Sequence, residues 1–301
     1  MEIGMVGLGR MGMNMTRRLK RGGHGVAAYD VSAENVKHAE SEGAVGAHSL
    51  AELVSILDPP RAVWVMVPAG GPVEDTVATL SSLLEEGDLV IDGGNSHYKD
   101  SVRRAERLKD LDIGFMDVGV SGGIWGLEEG YCLMAGGDIE DYHRILPVLN
   151  SLAPPEGGLY CGPHGAGHFV KMVHNGIEYG MMSAYGEGFD IIKASPYGDG
   201  MDFADVAHLW NRGSVVRSWL LELAEDAFRK GGDLSALSPY VDDSGEGRWT
   251  VEQAIDTAVP APVITAALYQ RFRSRGGGEF SDRLLSALRN EFGGHPVKKK
   301  E

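Results

Sequence analysis

Hydrophobic and polar positions follow two different patterns along the chain, and the change falls near residue 165. In the first part, short apolar runs that end in glycine alternate with amphipathic stretches, which is typical of a doubly wound parallel sheet covered by helices. The runs predict buried strands at 3–9, 25–30, 62–68, 88–94, 114–123 and 131–137. Helices are predicted between them at 11–23, 32–44 and 73–84.

Beyond residue 165 the apolar positions recur at helical spacing and no strand pattern remains. This pattern predicts helices at 169–194, 203–211, 218–229, 250–258, 263–273 and 281–292, with a glycine-rich loop at 274–280. We therefore expect two domains, an α/β domain at 1–165 and an all-α domain at 166–301.

Composition excludes several classes of protein. The chain has 301 residues, 43% of them apolar, and a formal net charge of −15, which does not suit a nucleic-acid-binding surface. No apolar run reaches the roughly 18 residues of a membrane span, and the first residues lack the features of a signal peptide, so a cytoplasmic protein is expected. Cys132 and Cys161 read as reduced thiols, and no metal-ligand set is predicted.

A glycine loop follows the first predicted strand. Its spacing, Gly7-x-Gly9-x-x-Gly12, lets a pyrophosphate approach the start of the next helix, and this context predicts a Rossmann-type dinucleotide site rather than a simple packing turn. Asp30 ends the second strand, where a carboxylate accepts hydrogen bonds from ribose hydroxyls and repels a 2′-phosphate. NAD is therefore expected, with NADP as a weaker possibility. The expected cofactor residues are Gly7, Gly9, Arg10, Met11, Gly12, Asp30, Val67, Ala69 and Asn95.

The stretch 167–182 carries polar groups inside an apolar helical pattern. Lys171, Asn175 and Glu178 are spaced i, i+4 and i+7, so they share one helix face, and Tyr179 adjoins it. A buried lysine is a candidate base, because desolvation lowers the pKa of an amine. Asn175 would orient substrate and Glu178 would supply a proton. The alternative is a solvated ion-pair stripe, and His174 is interpreted as structural.

Six motifs resemble the 6-phosphogluconate dehydrogenases, within the wider β-hydroxyacid dehydrogenase superfamily. They span nearly the whole chain: GLGRMGMN (7–14), IDGGNSHYKDS (91–101), DVGVSGG (117–123), KMVHNGIEY (171–179), GRWT (247–250) and RNEFGGH (289–295). The chain looks like the short, often NAD-preferring form. Related hydroxyisobutyrate-type enzymes share the lysine and the asparagine but not the Glu-Tyr pair.

The resemblance implies a reaction and roles. Lys171 would take the proton of the C3 hydroxyl of 6-phosphogluconate as hydride leaves C3 for the nicotinamide. The β-keto acid would then lose CO2, Lys171 would protonate the enolate oxygen, and Glu178 would protonate C1 to give ribulose 5-phosphate. Ser121, Gly122 and Gly123, with Asn95 and Asn175, match the residues that hold the carboxylate end of the substrate.

The phosphate end is implied in the same way. Tyr179 and Arg271 match phosphate-binding residues, and Arg289 and His295 match tail residues that reach the partner subunit's site, so a homodimer or larger homo-oligomer is expected. The chain departs from the long forms at two places. Where the long forms carry Lys-Gly-Thr, this chain has Ser244-Gly245-Glu246, which removes a phosphate cation. Where they carry Asn-Arg-Thr, it has Asp30-Val31-Ser32, which favours NAD.

Two other functions remain open from the sequence. One is a β-hydroxyacid dehydrogenase or imine reductase that acts on a smaller, unphosphorylated substrate. The other is a non-catalytic nucleotide-binding protein, which the presence of both Lys171 and Glu178 disfavours.

Overall fold

A computed structural model describes residues 1–276 and 278–293 of the chain, except for the side chains of 290, 292 and 293. The chain divides into two compact units, one formed by Met1–Met172 and one that starts at Val173. A single long helix, Ala166–Ala194, contributes residues to both units. The position of the domain boundary near residue 165 therefore stays a prediction.

The first unit is built on one eight-stranded sheet with the order β3-β2-β1-β4-β5-β6-β7-β8. Its strands are β1 (Glu2–Val6), β2 (Gly25–Tyr29), β3 (Val45–Ala47), β4 (Ala62–Val65), β5 (Leu89–Asp92), β6 (Gly114–Ser121), β7 (Cys132–Gly137) and β8 (Gly158–Gly162). The order 3-2-1-4-5-6 places a topological switch point between β1 and β4, as in dinucleotide-binding folds. The predicted α/β class with a Rossmann-type sheet is confirmed.

One strand pair departs from the predicted parallel arrangement. Strands β6 and β7 pair antiparallel, with Ser121 opposite Cys132, and β7 and β8 then run parallel to each other. The connection 122–131 is too short to return over the sheet, because parallel neighbours need a crossover of about a dozen residues or more. The sheet is therefore mixed.

Helices cover both faces of this sheet. They are α1 (Arg10–Arg21), α2 (Ala33–Ser41), α3 (Leu50–Ile56), α4 (Gly71–Ser81), α5 (Tyr98–Lys109), α6 (Gly126–Glu129) and α7 (Ile139–Leu152). Residues of one strand alternate between two cores: Trp64 packs in one cluster, and its neighbours Val63 and Val65 pack in the other. All three are fully buried, as expected for strands with both faces covered.

The second unit is helical throughout its described part. Its helices are the part of the long α8 (Ala166–Ala194) that follows Met172, α9 (Phe203–Trp210), α10 (Trp219–Gly231), α11 (Glu246–Asp256), α12 (Pro262–Ser274) and α13 (Glu279–Gly293). Two small cores hold it together, one around Tyr179 and Leu268 and one around Phe189 and Leu221. Within the residues described, no helix combines the length and apolar character that a membrane span requires.

Candidate functional site

The glycine loop has the geometry that a dinucleotide site needs. Gly7 has φ +92°, and a Cβ on it would lie 2.5 Å from the carbonyl oxygen of Met66. A Cβ on Gly12 would collide with the carbonyl oxygen of Gly7, so these two glycines are required for the loop to close. Gly9 differs, since apart from Gly9 itself and its two chain neighbours no atom of the described part of the chain lies within 4 Å of its Cβ position. The backbone at Gly9, the residue before α1, is thus open to close approach.

Asp30 lies directly against this loop. Its carboxylate accepts the backbone N–H of Leu8 at 2.6 Å and the N–H of Ser32 at 2.8 Å. The side chain of Val31, which follows it, is 94% exposed. The residues present therefore fit an adenosine ribose bound through its two hydroxyls, and this segment adds a negative charge rather than a guanidinium beside them.

The loops after β4 and β5 close the other side of the switch point. A Cβ on Gly94 would lie 2.9 Å from the carbonyl oxygen of Val67, so these two loops are in contact. Asn95, next to Gly94, is half-buried, whereas Ala69 is exposed. The buried carboxylate of Asp92 supports this region. It accepts the N–H of Gly94 at 3.1 Å, the hydroxyl of Ser96 at 2.7 Å and a guanidinium N–H of Arg104 at 3.0 Å.

Strand β6 places Lys171 beside the predicted carboxylate-binding loop. A Cβ on Gly119 would collide with the Cβ of Lys171, so the first turns of α8 lie in direct contact with the strand. Lys171 is half-buried. Two residues further along, β6 ends at Ser121, and the backbone turns through Gly122 at φ +129° and Gly123 at φ +53°. The structure thus brings Lys171 close to the Ser121–Gly123 loop.

Further along α8, Asn175 is held from two sides. Its Nδ2 donates to Oε1 of Glu246 at 2.6 Å, and its Oδ1 lies 2.9 Å from Nδ1 of His174. The same ring nitrogen of His174 lies 4.0 Å from Oε2 of Glu178. His174, which sequence reasoning set aside as structural, therefore contacts two of the predicted site residues. Its position in the KMVHNGIEY motif, directly before Asn175 and four residues before Glu178, was the signal that could have identified it.

Tyr179 and Arg271, the predicted phosphate pair, are in contact. The guanidinium carbon of Arg271 lies 3.5 Å from the centre of the Tyr179 ring, a cation–π stacking distance, and Tyr179 is 4% exposed. The Tyr179 hydroxyl accepts the N–H of Ser244 at 3.4 Å, and Arg271 donates to the carbonyl oxygen of Asp242 at 2.6 Å. Both residues are thus tied to the 242–246 segment, where the sequence departs from the long forms.

Two further arginines, which sequence reasoning did not single out, surround the same segment. Arg248 donates to Asp243 at 2.7 Å, and Arg275 lies 2.8 Å from its other oxygen. The hydrogen bond from Arg248, reinforced by Arg275, lowers the pKa of the Asp243 carboxyl to about 2. Both guanidinium groups also face the Phe272 ring. The signal for Arg248 was its position in the GRWT motif, whereas no motif marked Arg275.

The two predicted tail residues are placed unevenly. Arg289 lies on α13 with its side chain exposed, and His295 lies outside the described residues. Among the described residues, no group of three or more His, Cys, Asp or Glu side chains could hold a metal ion.

The fold and this loop define a class of protein. A mostly parallel sheet with the 3-2-1-4-5-6 order, a glycine loop at its switch point and an acidic residue after β2 define a nicotinamide-dinucleotide-binding protein with a helical second unit. Comparison with protein families agrees, because residues 2–162 match the NAD-binding domain of 6-phosphogluconate dehydrogenase and residues 167–279 match the C-terminal domain of that enzyme. The chain belongs to the 6-phosphogluconate dehydrogenase family, in its short form.

Individual relatives support this assignment. The chain is 45% identical to an NAD(+)-dependent, decarboxylating 6-phosphogluconate dehydrogenase of Haloferax volcanii, with all of both chains covered. It resembles the structure of the Plasmodium falciparum 6-phosphogluconate dehydrogenase with a TM-score of 0.83 and 30% identity, covering 100% of this chain and 67% of that one. A 3-hydroxyisobutyrate dehydrogenase of Salmonella typhimurium shares the fold, with a TM-score of 0.77 and 23% identity over 92% of this chain and 95% of that one.

The different surroundings of Gly9 and Gly12 predict different effects of adding a methyl group. Gly9→Ala should fold normally and weaken NADH binding about tenfold or more, because only a bound pyrophosphate would meet the new Cβ. Gly12→Ala should lose roughly 1–3 kcal/mol of stability through overpacking against Gly7. Fluorescence titration with NADH and urea unfolding measure the two effects.

Gly158→Ala is the matched control, because its Cβ position on β8 also meets no described atom within 4 Å beyond its own residue and chain neighbours, and it lies away from the glycine loop. It should change neither quantity appreciably. An unchanged NADH affinity in Gly9→Ala would contradict the assignment of this loop to the pyrophosphate.

Proposed function

We propose that the chain performs the reaction of its family, the oxidative decarboxylation of 6-phosphogluconate to ribulose 5-phosphate and CO2, with NAD as the preferred electron acceptor. The observation that supports the proposal is the contact of the Lys171 Cβ with β6 at Gly119, two residues before the Ser121–Gly123 loop. Bound NAD would supply the acceptor for the hydride that leaves C3.

Lys171 acts as the base in this proposal. Its Nζ removes the proton from the C3 hydroxyl as the C3 hydride leaves, which gives a ketone at C3 next to the carbon that carries the carboxylate. A β-keto acid of this kind loses CO2 because the electron pair of the broken bond is accepted by the ketone. Lys171, now protonated, donates to the enolate oxygen as the negative charge develops.

Glu178 then supplies the proton that C1 of the enediol needs. It lies on α8 seven residues after Lys171, so the two groups share one helix face. Asn175, four residues after Lys171, and the backbone of the Ser121–Gly123 loop bind the carboxylate end, with Asn95. Loops of small residues suit this task, because they let a ligand approach backbone N–H groups closely.

The phosphate is assigned to the group formed by Tyr179, Arg271 and Arg248. Removal of the lysine that long forms carry at the position of Ser244 leaves arginines as the cations of this segment. Arg271 is stacked on Tyr179, and Arg248 is held by Asp243, so the planar donors of both are already oriented. Arg289 and His295 remain candidates for contacts made in trans.

The alternative is a dehydrogenase or imine reductase acting on a smaller, unphosphorylated substrate. Release of CO2 and formation of NADH, measured with 6-phosphogluconate and with 3-hydroxyisobutyrate side by side, separate the two. Turnover of 3-hydroxyisobutyrate without turnover of 6-phosphogluconate would overturn the proposal.

Lys171 and Glu178 are expected to be essential for turnover. Lys171→Met and Glu178→Gln should each lower kcat by about 10²–10⁴-fold, the usual contribution of an acid–base group, and leave NADH affinity unchanged. Lys193→Met and Glu187→Gln are matched controls, because both residues lie exposed on the same helix. Losses below about tenfold in either test variant would count against its role.

Cofactor preference should depend on the segment after β2. Asp30→Asn combined with Val31→Arg should shift the ratio of kcat/KM values toward NADP, since the change removes a repulsion and adds a ligand for the 2′-phosphate. Glu34→Gln, an exposed acid in the first turn of α2, controls for the change in charge. Higher kcat/KM with NADP than with NAD in the unmodified protein would contradict the argument from Asp30.

A homodimer or larger homo-oligomer is also proposed. Several large apolar side chains of the second unit are exposed, among them Ile191 at 71%, Leu209 at 64% and Val215 at 101%, and an exposed apolar surface of this kind is typical of an interface. The mass in solution, measured by sedimentation, should correspond to at least two chains. A mass of one chain at micromolar concentration would exclude this assembly.

A further inference from the structure

Glu246 is a carboxylate in an unusual place. It is the first residue of α11, it follows Gly245 at φ +104°, and it is only 3% exposed. Glutamate is almost never buried to this extent unless it is paired. The start of a helix favours a negative side chain, which offsets part of the cost of burial.

The partner of this carboxylate is a residue of the proposed active site. Oε1 of Glu246 accepts a hydrogen bond from Nδ2 of Asn175 at 2.6 Å, a short distance typical of charge-assisted bonds. The two residues are 71 positions apart in the sequence. The contact therefore depends on how α8 and α11 pack.

Two glycines bring the helices together on either side of this hydrogen bond. A Cβ on Gly176 would lie 2.7 Å from the side chain of Thr250, and a Cβ on Gly247 would collide with the ring of Tyr179. Thr250 also donates its hydroxyl to the carbonyl oxygen of Glu246 at 2.8 Å. The backbone around Asn175 and Glu246 is thus fixed at two points.

A carboxylate and an amide differ in the hydrogen bonds that they form. The amide of asparagine can present either its oxygen or its nitrogen, whereas an ionised carboxylate only accepts hydrogen bonds. Glu246 therefore binds the nitrogen end of Asn175 and fixes the direction of the oxygen end, which lies 2.9 Å from Nδ1 of His174. The threonine that long forms carry at this position could donate or accept and would not impose one orientation.

We propose that Glu246 is a positioning residue: by accepting one hydrogen of Nδ2 it fixes the amide plane of Asn175, so that the second hydrogen of Nδ2 donates to the carboxylate end of the substrate. This inference rests on the proposed function, because it takes Asn175 as a substrate ligand. The inference also assigns a role to the glutamate that stands where the long forms carry threonine.

A double-mutant cycle tests this role. Glu246→Ala should lower kcat/KM for 6-phosphogluconate about ten- to a hundredfold, the range for loss of a hydrogen bond to a charged group. In a protein that already carries Asn175→Ala, the same change should lower kcat/KM no further, because the group that Glu246 orients is gone. Glu246→Gln, which keeps the size and one acceptor, should lie between wild type and Glu246→Ala.

The controls separate positioning from packing. The midpoint of thermal unfolding is measured for every variant, and NADH affinity should stay unchanged throughout. Glu252→Gln, an exposed acid on the same helix, should leave kcat/KM unchanged. Equal losses of kcat/KM on removing Glu246 in the presence and absence of Asn175 would overturn the proposal and mark Glu246 as purely structural.

Two further outcomes are decisive. If Glu246→Ala does not fold, the cycle is run with Glu246→Gln, and equal losses in the two backgrounds overturn the proposal in the same way. If unmodified protein does not turn over 6-phosphogluconate, the proposed function fails. The cycle is then measured with the substrate that the protein does oxidise, and only additive losses there would reject the role of Glu246.

Discussion

The buried carboxylate of Asp117 determines where the long helix α8 begins. It lies on β6, fully buried, and accepts the backbone N–H of Gly165 at 2.6 Å and of His168 at 2.8 Å. The first N–H groups of a helix have no partners within the helix, and a negative charge there is favoured by the helix dipole. Asp117 satisfies two N–H groups at the start of α8 from outside the helix. The position of Lys171 along β6 follows from this contact, because it depends on where the helix begins.

Glycines let the helix lie as close to the sheet as this contact demands. A Cβ on Gly167 would collide with the carbonyl oxygens of Asp117 and Met134, and one on Gly136 would lie 2.6 Å from the backbone nitrogen of Gly167. Gly119 makes the corresponding approach at Lys171. The position of Lys171 against the sheet is thus encoded largely by residues that have no side chain, since backbone can approach this closely only where Cβ atoms are missing.

Sequence patterns predicted the strands that are covered on both faces, and they missed several other elements, among them β3, β8, α3, α5 and α7. Strands β1, β2, β4 and β5 have both faces covered, so their apolar runs were plain. Helix α5 buries Ser101 and Arg104 among its few inward positions, and its apolar stripe is correspondingly weak. Strand β3 has three residues, which is too short for any periodicity to appear.

The candidate site divides in the same way. Spacing along one helix was enough to group Lys171 with Asn175 and Glu178, because helix geometry relates positions that are close in sequence. Spacing along one helix could not predict contacts between segments that are distant in the sequence. The hydrogen bond from Asn175 to Glu246 depends on how α8 and α11 pack, and the arginine pair on Asp243 depends on how α11 and α12 pack, which no local pattern encodes.

The reversed strand pair has a consequence for the direction of the chain. Strands β1 to β6 all point toward the edge of the sheet that carries the glycine loop, whereas β7 and β8 point away from it. The chain leaves β8 at the edge opposite the glycine loop and starts α8 beside Asp117. The helix therefore runs along β6 from Asp117 toward Gly119. In a fully parallel sheet the chain would leave the last strand at the edge that carries the glycine loop, and the following helix would run away from that edge. The direction of one strand pair thus decides whether α8 carries Lys171 toward the edge of the sheet with the glycine loop or away from it.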